Sequence, residues 1–158
     1  MRTDVGIGEY LISSTPGDVL KTYALGSCVA VLMYDKARKI AGLIHIALPE
    51  SGINPKKAEA KPAYFADTGI PLFLQAMKKA GANRNTTWIK IAGGSNIMDE
   101  QKTFDIGRRN TIAIKRYLWK NGLGVIKEDV GGSISRTVSI SVDTGEIVLS
   151  NSKDKWVL

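Results

Sequence analysis

Residues 29–49, VAVLMYDKARKIAGLIHIALP, decide how the chain folds. Two runs rich in β-branched and aromatic side chains, VAVLMYD and KIAGLIHIALP, flank the short polar connection Lys36-Ala37-Arg38. That is the pattern of a β-hairpin. Centring the connection between Lys36 and Ala37 sets Cys28 opposite His45, with Cβ atoms roughly 4.5–5.5 Å apart on one face. A register slip of one residue would break this pairing, and a slip of two would make it diagonal.

Upstream, VGIGEYLIS (5–13) reads as a strand, STPGD (14–18) as a Pro-Gly turn, and VLKTYAL (19–25) as an extended run leading into Gly26-Ser27-Cys28. Downstream, ESGINPKKAEAKPA (50–63) is polar with two prolines and reads as a surface loop placed to cover whatever lies beside the hairpin. A helical pattern follows from Tyr64 to Ala80, with Phe65, Leu72, Phe73, Ala76 and Met77 on one face and Gly81 as its stop. TTWIKIA (86–92) is a buried-type strand running into the loop Gly93-Gly94-Ser95.

A second helix is expected over Ile106–Asn121, capped by Asp105 and ended by Gly122. Ile106, Asn110, Ala113, Ile114, Tyr117 and Leu118 share its inner arc, and Arg108, Arg109, Lys115, Arg116 and Lys120 its outer one. The tail is β again: LGVIKEDV (123–130), a second Gly-Gly-Ser at 131–133, RTVSISVD (136–143), a turn at Asp143-Thr144-Gly145-Glu146, and IVLS (147–150). About seven strands with two helices and mostly tight turns make a mixed α/β fold with mainly antiparallel pairing.

The 158 residues, 44% apolar and 23% charged, suit one compact domain spanning 1–158. No apolar run approaches the roughly 20 residues that cross a bilayer, and the start lacks the pattern of a secretory leader, so a cytoplasmic protein without membrane insertion is expected. A single cysteine allows no internal disulfide, and without Cys/His clusters no structural metal is expected. Nothing in the chain calls for a cofactor. The net charge of +7 concentrates in residues 102–127, where Lys102, Arg108, Arg109, Lys115, Arg116, Lys120 and Lys127 face Asp105 alone. An acidic partner is the natural inference, although a solvated helix face is the commoner reading of such a pattern. Nucleic acid is set aside, because no recognition motif is present and only Tyr117 and Trp119 accompany the charges.

The only cysteine and the only histidine thus fall on one expected face. An ordinary thiol is only a few per cent thiolate at neutral pH, and an imidazole beside it can take its proton as sulfur attacks carbonyl carbon. Cys28 would be the nucleophile and His45 the general base, which then protonates a leaving amine and activates water. A third group should orient the imidazole; in the preceding run Lys21, Thr22 and Tyr23 offer polar atoms, and Thr22 shares parity with Cys28. Spacing equally suits the blander alternative, since free cysteines and lone histidines in apolar strands are commonly core residues.

The residues also resemble a known family. GIGEY (6–10), LGSCVAV (25–31), His45 with Leu48-Pro49, the Gly-Gly after the 87–92 strand, IG with RN over 106–110, and GG with Arg over 131–136 together resemble the CheD chemoreceptor glutamine deamidases. This resemblance implies an α/β sandwich with helices outside a β core, similar to some bacterial toxin deamidases. It implies Cys28 as nucleophile, His45 as base and Thr22 as its orienting partner, with Ser27, Gly93 and Gly94 as candidate substrate contacts. The implied reaction converts selected glutamine side chains of methyl-accepting chemotaxis receptors to glutamate through a Cys thioester, releasing ammonia, with receptor methylester hydrolysis as a related activity. The implied regulatory partner is CheC, a phosphatase. Ala92 and Ser95, flanking the first Gly-Gly, depart from the aromatic and alanine common in the family. A non-enzymatic adaptor regulating a CheC-type phosphatase, and a cysteine protease cutting backbone amides, are the competing readings.

Overall fold

A computed structural model describes residues 3–97 and 104–158. Its order is β1 (Tyr10–Ser13), β2 (Val19–Leu25), β3 (Val29–Asp35), β4 (Ile40–Ile46), α1 (Pro55–Ala60), α2 (Ala66–Lys79), β5 (Thr87–Gly93), α3 (Ile106–Lys120), β6 (Lys127–Val130), β7 (Arg136–Ser141), β8 (Ile147–Ser150) and β9 (Lys155–Val157). The strands form two sheets. Five lie in the order β1-β4-β3-β5-β6 and four in the order β2-β7-β8-β9. Every pairing is antiparallel except β5 with β6. The mixed, mainly antiparallel α/β sandwich is therefore present.

The hairpin is the centre of the molecule. All seven residues of β3 and all seven of β4 are buried, because both faces of the five-stranded sheet are covered. Val29, Val31, Met33, Ile44 and Ile46 pack with Phe73 and Met77 of α2 and Ile114 and Leu118 of α3. Ala30, Leu32, Tyr34, Ala41 and Leu43 pack with Leu20, Leu25, Val138, Ile140 and Leu149 of the second sheet. The period-two alternation is intact, but it sorts side chains between two apolar layers rather than between core and water. Even-numbered β3 positions and odd-numbered β4 positions thus look into the space between the sheets.

The hairpin register differs from the expected one. Ala30, not Cys28, stands opposite His45, since the pairing closes on Asp35 with Ile40 across a four-residue connection. Buried Asp35 shapes that connection: its carboxylate accepts from the Ala37, Arg38 and Asn83 N–H groups and the Thr86 hydroxyl. The two-residue displacement preserves parity, so Cys28 and His45 keep a common face and become diagonal neighbours.

Other expectations need correction. The strand expected from Val5 begins only at Tyr10, because Gly8 takes a positive φ of 73° and the chain turns before it. The expected 50–63 surface loop contains α1, with Pro55 at its first turn and the Asn54 side chain accepting from Lys57 N–H. Asp105 precedes α3 but does not cap it with its side chain; it sits at φ 48° and its carbonyl accepts from Arg109 N–H. Strand β9 went unanticipated. Lys102 lies outside the described residues. The stops at Gly81 and Gly122 hold: both take positive φ and donate back into the last turns of α2 and α3.

Candidate active site

Cys28 stands one residue before β3, where the chain crosses from the second sheet into the first through Gly26 and Ser27. It is half-buried and packs against the layer between the sheets. His45, 2% exposed, projects from β4 into the same layer. Thr22, wholly buried, reaches it from β2 across the sandwich, with its Oγ1 2.7 Å from His45 Nδ1. A bulge between Thr22 and Leu25, with Ala24 at φ 53°, lets both of these residues face inward although they are three apart.

The direction of that hydrogen bond follows from one further contact. Thr22 Oγ1 lies 2.7 Å from the carbonyl of Val5 and donates its only hydrogen there. The hydroxyl can then only accept from the imidazole, so the proton of neutral His45 sits on Nδ1 and the lone pair on Nε2. Nε2 is buried and has no hydrogen-bond partner among the described residues, the Cys28 sulfur included. The backbone of His45 is held as well, its carbonyl accepting from Gly8 N–H at 2.9 Å and its N–H donating to Glu9 at 3.1 Å. The segment carrying GIGEY therefore fixes both the threonine and the histidine.

Burial sets the protonation states. It lowers the His45 pKa to about 4 and raises that of the Cys28 thiol, against a smaller opposing pull from the cysteine's own backbone N–H. At neutral pH the thiol and the imidazole are both uncharged. Between two uncharged groups, attack by the sulfur would require its proton to pass to Nε2 in the same step, rather than a preformed ion pair.

Ser27 and Gly26 line a cleft of ≈ 350 Å³ with Ala24, Ser95, Ile97 and Phe104 among its walls; Cys28, His45 and Thr22 are not among its lining residues. Gly93 and Gly94 are buried and serve the backbone of Cys28. Gly94 N–H donates to the Cys28 carbonyl at 2.8 Å, and a Cβ on Gly93 would lie 2.3 Å from that same oxygen. With φ of 117° and 61°, these residues take conformations and a closeness that glycine alone supplies. Arg136, 3% exposed, braces them from behind by donating to the Gly93 and Gly131 carbonyls and pairing with Asp129. A larger cavity of ≈ 470 Å³ between Met33, Leu74, Met77 and Leu123 contains none of the candidate residues. Among the described residues, no three His, Cys, Asp or Glu side chains converge as metal ligands do.

A family model described as CheD chemotactic sensory transduction matches residues 47–151, more than half of the sequence. The chain belongs to the CheD family. Relatives extend the likeness across the candidate residues. A protein of Syntrophotalea carbinolica named "Probable chemoreceptor glutamine deamidase CheD" is 52% identical over 148 residues, covering 92% of this chain and 91% of its own. The Thermotoga maritima "Chemoreceptor glutamine deamidase CheD" is 39% identical over 149 residues, covering 94% and 91%. A Haloarcula marismortui CheD is 38% identical over 152 residues, covering 96% and 86%. The GIGEY, RN and Gly-Gly/Arg elements, which composition left without a role, are structural: Gly8, Asn110 and Arg136 carry them through their hydrogen bonds, and Val5 stands just before the first.

Proposed function

We propose that this CheD family member is a chemoreceptor glutamine deamidase in which Cys28 is the nucleophile, His45 the general base and Thr22 the residue that holds the base in its working tautomer. The observation that carries this reading is the Val5–Thr22–His45 relay, which leaves a buried lone pair on Nε2 on the face shared with Cys28. A core histidine kept only for packing has no need of an unsatisfied nitrogen.

In the proposed cycle the Cys28 sulfur attacks the glutamine carboxamide carbon while its proton passes to Nε2. The resulting tetrahedral oxyanion collapses as Nε2–H protonates the leaving nitrogen, releasing ammonia and a Cys28 thioester. Water then attacks the thioester, giving its proton to Nε2, and the thiol is restored as glutamate leaves. A methyl ester enters the same sequence with methanol as leaving group, so receptor methylester hydrolysis is part of the proposal. Ser27 lines the cleft that would receive the side chain, and Gly93 and Gly94 act through the Cys28 backbone. A CheC-type phosphatase as regulatory partner rests on the family resemblance, and co-purification tests it.

One observation favours the adaptor reading: a thiol pKa pushed up by burial describes a poorly reactive cysteine. Mass spectrometry of a receptor cytoplasmic fragment separates the alternatives. Deamidation adds about one dalton per glutamine to an unbroken fragment, since a side-chain amide is hydrolysed and the backbone is not. An unchanged fragment supports the adaptor, and shorter pieces support proteolysis.

A further inference from the structure

The ladder between β3 and β4 ends at Val29 with Ile46, and beyond it the strands lose each other as partners. Ala47 and Leu48 N–H both turn to the Tyr64 carbonyl. One side chain spans the opening. Asn110 of α3, wholly buried, donates through Nδ2 to the Ser27 carbonyl at 2.9 Å and the Ala47 carbonyl at 3.0 Å. Both hydrogens of its amide nitrogen are thereby used, one on the chain leading into Cys28 and one on the chain leaving His45. Among the described residues its Oδ1 is buried without a partner, so the contacts described match this asparagine to its surroundings by its donors alone.

The Ser27 carbonyl belongs to the peptide plane that carries the Cys28 N–H. In a trans peptide the two point in opposite directions, and the described residues contain no cis bond. Holding the carbonyl on Asn110 therefore aims the Cys28 N–H away from α3. On that side β5 should supply an acceptor, but Gly94, at φ 61°, turns its carbonyl against Gly107 instead, where a Cβ would meet it at 2.4 Å. No described residue accepts from the Cys28 N–H. A backbone donor held free beside a nucleophile suits a developing oxyanion.

We propose that Asn110 is a positioning residue: by clamping Ser27 and Ala47 it fixes the 27–28 peptide plane so that the Cys28 N–H faces the oxyanion formed on the substrate carboxamide. This inference rests on the deamidase reading for its chemistry and on geometry for the placement. Asn110→Ala removes both donors, and Asn110→Thr keeps a single hydroxyl donor in case the alanine variant does not fold. Because the chain has one cysteine, ¹⁵N-cysteine labelling gives a single amide signal, that of Cys28.

In a folded variant kcat on a receptor fragment should fall about 10²-fold or more with KM within about twofold, as for loss of an oxyanion donor. The Cys28 amide signal should shift, while the pH profile of iodoacetamide labelling, which forms no oxyanion, stays put. A merely structural role would lower thermal stability and leave kcat intact. A folded variant with wild-type kcat, or with an unmoved Cys28 amide signal, overturns the proposal. Wild-type protein that leaves glutamines untouched overturns the deamidase reading instead, and the amide signal still decides whether Asn110 sets the peptide plane.

Discussion

The single hydrogen of the Thr22 hydroxyl governs the candidate base. Because it goes to the Val5 carbonyl, His45 carries its proton on Nδ1 and keeps the lone pair on Nε2, the atom proposed to take the thiol proton. Thr22→Val keeps the shape but leaves Nδ1–H facing a methyl group, which costs about 1–3 kcal/mol for a buried unsatisfied donor and releases the ring to adopt the wrong tautomer. The expected result is a kcat at least about tenfold lower, together with a changed His45 imidazole spectrum. With only one histidine in the chain, ¹⁵N-histidine labelling reads that tautomer directly. Residue types and parity brought Cys28, His45 and Thr22 forward from the sequence. The Val5 carbonyl was invisible there, since backbone atoms carry no residue signature and Val5 meets Thr22 only after the chain has folded.

Between strands and turns, two buried groups write the acid response of the fold. His45 is uncharged in the folded protein down to about pH 4, whereas an unfolded histidine titrates near its ordinary 6.5. Below pH 6.5 the unfolded state therefore binds the extra proton, and about 3 kcal/mol of stability is lost progressively as pH falls from 6.5 toward 4. Asp35 is the lower counterpart. Burial pushes its pKa up, but donors from Asn83, Thr86, Arg38 and Ala37 outweigh that and hold it at about 2, against an ordinary 3.8. Its contribution, of order 2 kcal/mol, is present above pH 3.8 and lost as pH falls through 2. Urea unfolding at successive pH values should show both windows; His45→Gln should flatten the upper and Asp35→Asn the lower. The same Asp35 explains why the hairpin register eluded the sequence. A three-residue polar connection was visible, but the carboxylate organises Ala37, Arg38, Asn83 and Thr86 around it, and two of those lie in a distant loop.

Across the whole molecule the basic face of α3 remains available to a partner. Arg108, Arg109, Lys115, Arg116 and Lys120 are all exposed, while Asn110, Ala113, Ile114 and Leu118 are buried, as their helical arc implied. Lys115 pairs with Glu128 and Arg116 lies 3.8 Å from Glu50. Neither pairing removes the excess charge of +7. If acidic receptor helices are the substrate, kcat/KM should fall with added salt over the range where the screening length shrinks from about 10 Å to about 3 Å. Arg109→Glu with Lys120→Glu should reduce that salt dependence and leave kcat unchanged, because steering acts on encounter. Helices α2 and α3 and the antiparallel bias were legible from periodicity and turns. The partition into two sheets was not, because β2 and β3 adjoin in sequence yet pair with different partners, and only the assembled core decides that.

In the proposed mechanism one sulfur, on the rim between the sheets, works with one neutral imidazole. The most direct test is the rate at which Cys28→Ala, folded as judged by its melting transition, converts receptor glutamine to glutamate beside wild type. The account predicts background conversion in the variant and steady conversion in wild type; conversion by the variant at a rate near that of wild type would contradict it.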